Sequence, residues 1–354
     1  MFELKPFLKK IIDLPGLSGF EDPVRKAIAE TWKPLVDEMS TSKVGSLHAL
    51  KRGTGLEPRP RILLAAHMDS IGLMVTAIKD GFIHFTEIGG YDPRILPGQP
   101  VIVFGRKTLP GILGQPPDRL LPDDQKGDPV KVEHLFVDTG LEPDQVEKLV
   151  APGDLISMAQ SPFELGGDYF GGHSMDDRAS VAAVTVCLYE LQKMNHSWDV
   201  WAVATTQEEE SYAGGFTSPF EIRPAIGIAV DVTFGRGSDG KDYRAYPLGG
   251  GPTIGLGPNV HSGLYRRMLE LAEQLDIPHN TEIMPSHSGT DAYPMQVVQE
   301  DIPTLTMGIP LRYMHTPIEI ASLKDIERCG HLMAEFIARL EPDAMDKIQW
   351  DEKA

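Results

Sequence analysis

Apolar positions along the chain follow two periodicities, and the change from one to the other divides it. The beginning reads as a helix, a turn and a second helix, the latter started by Asp22-Pro23 with Val24, Ala27, Ile28 and Trp32 on one face. Then comes Arg61-Ile62-Leu63-Leu64-Ala65-Ala66-His67-Met68-Asp69. A short unbroken apolar run ending in polar groups predicts a buried strand that delivers side chains at its C-terminal end. From residue 71 to 163 the character changes. This stretch holds 11 of the 29 prolines, shows β-like runs such as Pro100-Val101-Ile102-Val103-Phe104, and is punctuated by Pro97-Gly98, Pro110-Gly111 and Pro152-Gly153. Within it only residues 144–150 read as helical. A loop of such length without structure of its own is unusual, so an inserted β-rich domain is expected.

After Gly171 helical and strand patterns alternate. Residues 178–194 space Val181, Val184, Leu188 and Leu191 three and four apart, which predicts a helix. Strands are expected at 200–206, 225–232 and 304–309, and helices at 262–274 and 322–340. The fold class that follows is α/β, a helix-covered and mostly parallel sheet with a small inserted β-barrel-like domain. Residues 1–70 and 164–354 form the discontinuous main domain, and residues 71–163 the insertion.

Composition narrows the function. The formal charge is -18, from 51 acidic and 33 basic side chains. A nucleic-acid partner needs a basic face and is not expected. No stretch approaches the roughly 18 consecutive apolar residues of a membrane span. The N-terminal Met1-Phe2-Glu3-Leu4-Lys5 carries charge early and lacks the apolar core of a signal peptide. A cytoplasmic protein is expected, with Cys187 and Cys329 as buried free thiols inside apolar helices.

Apolar segments of this chain repeatedly lead into metal-ligand residue types. His67-Met68-Asp69 follows one strand, Asp176-Asp177 precedes a helix, and Glu208-Glu209-Glu210, Asp231 and His315 follow others. Each alone has an ordinary explanation: a hydrogen-bonded pair, a helix cap, a solvated acidic run, a loop cap, a core histidine. Together they place carboxylates and imidazoles at the ends of buried runs, which is costly without a compensating cation. Sheet ends are also where α/β proteins build sites from residues distant in sequence.

These segments resemble the tetrahedral dizinc aminopeptidases, the glutamyl-aminopeptidase family. The resemblance rests on Ala66-His67-Met68-Asp69, Asp176-Asp177-Arg178, Gln207-Glu208-Glu209, Val230-Asp231-Val232 and Arg312-Tyr313-Met314-His315-Thr316. Gly249-Gly250-Gly251-Pro252, Ser288-Gly289-Thr290-Asp291-Ala292 and Pro97-Gly98-Gln99-Pro100 also match. It implies a dizinc exopeptidase-like catalytic domain carrying two divalent ions, Zn2+ or Co2+. His67 and Asp231 hold one, Glu209 and His315 the other, and Asp176 bridges both. It further implies Glu208 as general base and Asp69 as the residue that orients His67. The substrates implied are peptides with free N-termini. The insertion is implied to make a dimer contact, within dimers that assemble into a tetrahedral dodecamer.

The chain departs from the family pattern at Ser70, at Ser180 and in Ser211-Tyr212-Ala213-Gly214-Gly215, which bears on specificity and removes no implied ligand. Two other readings stay open at this point. A dizinc carboxypeptidase or N-acyl amino-acid deacylase uses the same metals, and a non-catalytic metal-containing scaffold would need no spare base at Glu208. A metal-free carboxylate pair built on Glu208 and Asp176 gives His67 and His315 no role.

Overall fold

The computed structural model describes residues 2–121, 126, 130–238 and 242–350. Strand Arg61–His67 shows why the centre folds as it does. Ile62, Leu64 and Ala66 pack into one core, while Leu63 and Ala65 pack into a second core on the opposite face of the sheet. Alternate residues of a strand point to opposite faces, so a strand covered on both sides must be apolar throughout.

The sheet around it is mixed. Its centre is parallel, in the order Asp199–Thr205, Arg61–His67, Ile226–Phe234 and Thr304–Arg312. The flanks are antiparallel. Leu47–Lys51 and Glu38–Thr41 extend one side, and Glu319–Ser322, Tyr169–Gly172 and Phe163–Leu165 the other. Thr253–Leu256 pairs with Thr304–Arg312 and carries Asn280–Ile283 on its outer edge. Register sets His67 beside Thr205, where those two strands end, while Asp231 sits beside Gly308 in a pair of strands that runs on to Phe234 and Arg312.

One face is covered by helices Met175–Glu190 and Leu323–Ala338, the other by Ala213–Ile222 and Ala292–Val297. Asp176 and Asp177 lie inside the bounds of the first of these with non-helical backbone angles, so its regular turns begin at Arg178, as the apolar spacing predicts. Helix Ser262–Gln274 has the predicted bounds. Strand Thr304–Arg312 runs three residues beyond the expected 309, because Pro310 and Leu311 stay buried beside Thr233 and Phe234. The N-terminal helices Leu4–Ile12 and Asp22–Trp32 lean on this layer, and Trp32 Nε1 donates to Thr185 Oγ1 at 2.7 Å.

Arg178 is wholly buried and donates to the carbonyls of Ile11, Leu14, Gly16 and Met68, tying the N-terminal segment to the turn after His67. Cys187 and Cys329 are buried free thiols.

Between the first two central strands the chain makes a closed barrel. Its strand order is Gly72–Lys79, Phe82–Ile88, Phe136–Asp138, Thr108–Gly114, Pro100–Phe104 and Leu155–Met158. The barrel has a core of its own, built on Leu73, Phe85, Val103 and Ile156, with Val146 of helix Pro143–Leu149 packed into it. Among the described residues no helix is long and apolar enough to cross a membrane.

The two covering helices meet at Gly330, where an added Cβ would stand 2.5 Å from the Ala183 carbonyl and 2.6 Å from Val186 Cβ. Alanine is favoured over glycine in a helix by about 1 kcal/mol. Overpacking against a backbone oxygen costs about 1–3 kcal/mol, so the clash wins. Gly330→Ala is expected to lose stability in denaturant titration, by up to about 2 kcal/mol net; a gain would show that the helices slide apart freely.

Candidate metal centre

His67 ends its strand with its imidazole aimed at the sheet edge. His67 Nδ1 lies 3.1 Å from the Asp69 carbonyl oxygen and 3.6 Å from the Asp69 carboxylate. That carboxylate is otherwise engaged: it accepts the backbone N–H groups of Glu208 and Glu209 at 3.0 and 3.2 Å. Asp69 therefore holds both the imidazole and the turn that bears the glutamates. The turn is a short helix, Glu208–Ser211, entered through Gln207 in the left-handed region, rather than the ragged strand end the sequence implies. The outcome for the side chains is a split: Glu208 Oε2 lies 3.8 Å from His67 Nε2, and Glu209 Oε2 lies 3.6 Å from His315 Nε2.

Asp176 stands between the two imidazoles. Its Oδ1 is 3.1 Å from His67 Nε2 and its Oδ2 is 3.5 Å from His315 Nε2. Asp231, on the neighbouring strand, places Oδ1 3.8 Å from His67 Nε2. The structure thus brings together His67, Asp69, Asp176, Glu208, Glu209, Asp231 and His315, which are contributed by segments far apart in sequence.

Two residues to which the sequence reading assigns no role complete the frame. Glu319 accepts the N–H of Asp176 at 3.0 Å and the N–H of His315 at 2.8 Å, fixing the backbones beneath two of the donors. Its only local signal is an acidic residue between Ile318 and Ile320. Asp177 Oδ2 accepts the His67 N–H at 3.2 Å, behind the cluster.

Burial sets the electrostatics. It pushes the Glu208 carboxyl up to about 10 and the Glu209 carboxyl up to about 8, with neighbouring carboxylates adding to the shift. Asp231, Asp177 and Glu319 are likewise raised well above the ordinary range by burial. The hydrogen bond to Asp176 lifts His315 to about 9, and burial opposes it. Burial works against Asp176 as well, but the imidazoles of His315 and His67 hold its carboxyl below the ordinary range.

Divalent cations fit this arrangement. Glu208 Oε1 and Glu209 Oε1 are buried without a hydrogen-bond partner among the described residues. The donors of His67, Asp176 and Glu209, and those of His67, Asp177 and Asp231, lie within 4.8 Å of one another. A mix of imidazole and carboxylate suits Zn2+ or Co2+.

The cluster forms one side of a cavity of about 570 Å3, whose other walls include Tyr212, Thr233, Phe234, Glu282, Ser288 and Met314. Gly289 and Thr290 also line it, while Asp291 sits behind the cavity and accepts the Thr205 hydroxyl at 2.5 Å. The barrel reaches the rim, where the Gly89 N–H donates to Glu210 Oε1 at 2.5 Å.

The sequence profile of the M42 glutamyl aminopeptidase family matches residues 45–332. A lysyl aminopeptidase of Pyrococcus furiosus is 33% identical over 346 residues, covering 95% of this chain and 97% of the relative. The crystal structure of a TET aminopeptidase from a marine sediment archaeon of the Thaumarchaeota superposes with a TM-score of 0.92 at 27% identity, covering 98% of this chain and all of that one. The TET1 peptidase of Pyrococcus horikoshii, described as assembling into a tetrahedron or a large octahedral shell, gives 0.83 at 28% identity. The match covers 96% of this chain and 100% of that one.

Metal ligands bind in their deprotonated form. Burial pushes Glu209 up to about 8 and the Asp176 hydrogen bond lifts His315 to about 9, so at neutral pH an ion held by these two groups would displace protons. Affinity for zinc, measured against a competing chelator from about pH 6 to about pH 8, is expected to rise at least about tenfold per pH unit. A flat profile would mean that these two groups are not ligands.

Proposed function

The chain belongs to the M42 glutamyl aminopeptidase family, and from that premise we propose that it removes N-terminal residues from peptides at a site held by two divalent ions. Membership makes it a hydrolase. The observation that carries the finer reading is the Asp176 carboxylate set between the imidazoles of His67 and His315, each backed by a further carboxylate. On this reading His67 and Asp231 hold one ion, Glu209 and His315 the other, and Asp176 touches both. Zn2+ or Co2+ matches the donors.

Bound there, the ions would supply Lewis acidity to polarise the scissile carbonyl and to lower the pKa of the attacking water. The remaining work belongs to the protein. Glu208 places one carboxylate oxygen 3.8 Å from His67 Nε2 and the other is buried without a hydrogen-bond partner among the described residues, and on this reading Glu208 takes the proton of the attacking water. As the C–N bond breaks, Glu208 returns that proton to the departing amine, which makes a good leaving group only when protonated. Asp69 fixes the Glu208–Glu209 turn through two backbone N–H groups, so the base and the ligand keep separate directions. The free α-ammonium of a peptide meets carboxylates here, since the described lining of the cavity contains no Lys or Arg.

We infer a discontinuous catalytic domain of residues 1–70 and 164–354, with residues 71–163 as the insertion that pairs two subunits. The barrel's separate core supports treating it as a unit. The shells described for the Pyrococcus horikoshii relative support assembly of such dimers into a closed dodecamer. Inside such a shell only unfolded peptides would reach the site.

Glu208→Gln keeps the shape of the side chain and loses the base. Metal content is expected to stay unchanged while turnover of aminoacyl-p-nitroanilides falls about 10²–10⁴-fold. A metal-loaded Glu208→Gln protein with full turnover would remove Glu208 from this role. Cleavage of N-acyl amino acids in place of free-amine substrates would replace the aminopeptidase by a deacylase.

A further inference from the structure

The wall of the same cavity contains a carboxylate that the chemistry above leaves unused. Glu282 belongs to strand Asn280–Ile283 and lines the same cavity as Glu208 and Asp231. Its two oxygens are each met by a hydroxyl: Thr233 Oγ1 donates to Oε1 at 2.6 Å and Thr253 Oγ1 to Oε2 at 2.5 Å. A glycine makes room for the group, since a Cβ on Gly308 would stand 2.8 Å from Glu282 Oε2 and 2.3 Å from Thr253 Oγ1. Three adjoining strands thus form a seat for one acidic side chain.

Among the described residues that seat offers hydrogen bonds and no countercharge. The groups acting on Glu282 are the two threonine hydroxyls, set against burial, which raises its pKa. A carboxylate withdrawn from water with only neutral donors stays costly until a cation arrives.

Its position relative to the donors is set by the sheet. Thr233 lies two residues past Asp231 on one strand, hence on the same face and about 7 Å further along. Glu282 is one hydrogen bond beyond Thr233, a span comparable with an extended lysine side chain measured from a scissile bond at the metal centre. Tyr212, Phe234 and Met314 supply apolar wall in the same cavity, which suits an aliphatic stem.

We propose that Glu282 recognises the substrate's N-terminal side chain and selects a cationic one, lysine or arginine. The proposal rests on the aminopeptidase reading above and adds the substrate class. An N-terminal glutamate would bring a like charge to the same seat and is rejected.

The test compares p-nitroanilides of lysine, arginine, norleucine and glutamate on the metal-loaded wild type and on Glu282→Gln. Norleucine has the length of lysine without its charge. In the wild type kcat/KM for lysine is expected to exceed that for norleucine by at least about tenfold, with glutamate poorest. Glu282→Gln is expected to abolish that preference through KM, leaving norleucine turnover within about threefold, which also shows that the variant is folded. Equal wild-type use of lysine and norleucine, or an equal loss on all substrates in the variant, overturns the role of Glu282 while the aminopeptidase reading stands. No cleavage of any free-amine substrate by the metal-loaded wild type removes both.

Discussion

The constraint on which the rest depends is the crowding of carboxylates at one buried sheet edge. Asp176, Glu208, Glu209 and Asp231 converge on two imidazoles, and burial, reinforced by neighbouring carboxylates, holds several of these acids far from their ordinary ionisation. Side chains in this position repel one another when ionised and waste their oxygens when neutral. Divalent cations would resolve the conflict, because the same oxygens would then become ligands. The protein invests much of its framework in preserving a cluster that would otherwise tend to open.

That framework works through the backbone as much as through side chains. Asp69 binds the peptide N–H groups of Glu208 and Glu209, Glu319 those of Asp176 and His315, and Asp177 that of His67. His67, Asp176, Glu209 and His315 therefore each have their main chain anchored by another acid. Arg178 continues the scheme outward through four carbonyls, linking the turn after His67 to the N-terminal segment. A site whose anchors are themselves buried can hold its geometry before substrate arrives. The parallel register does the remaining alignment, pairing Ala65 with Ala229 two residues before His67 and Asp231.

Much of this was legible in the sequence where the signal is local. Ile62 to Ala66 announce a strand covered on both faces, and Val181, Val184 and Leu188 announce the helix packed on it. The donors were named because apolar runs led into His67, Asp176, Glu209, Asp231 and His315, and because their order resembles a known family. Long-range pairing was less visible. The antiparallel flanks and the closure of the barrel through a three-residue strand, Phe136–Asp138, depend on partners distant in sequence. Glu319 and Glu282 escaped notice for a similar reason: a single acid in a short strand acquires its meaning only from what folding places beside it. The helical turn at Glu208 was hidden because Gln207 takes a left-handed conformation that its side chain does not advertise.

The central claim is that one carboxylate, Asp176, is shared between two ions. Anomalous scattering from crystals soaked in zinc tests it most directly. Two peaks per chain are expected, one on the His67 and Asp231 side of Asp176 and the other on the His315 and Glu209 side. A single peak, or two that do not share Asp176, would contradict the account.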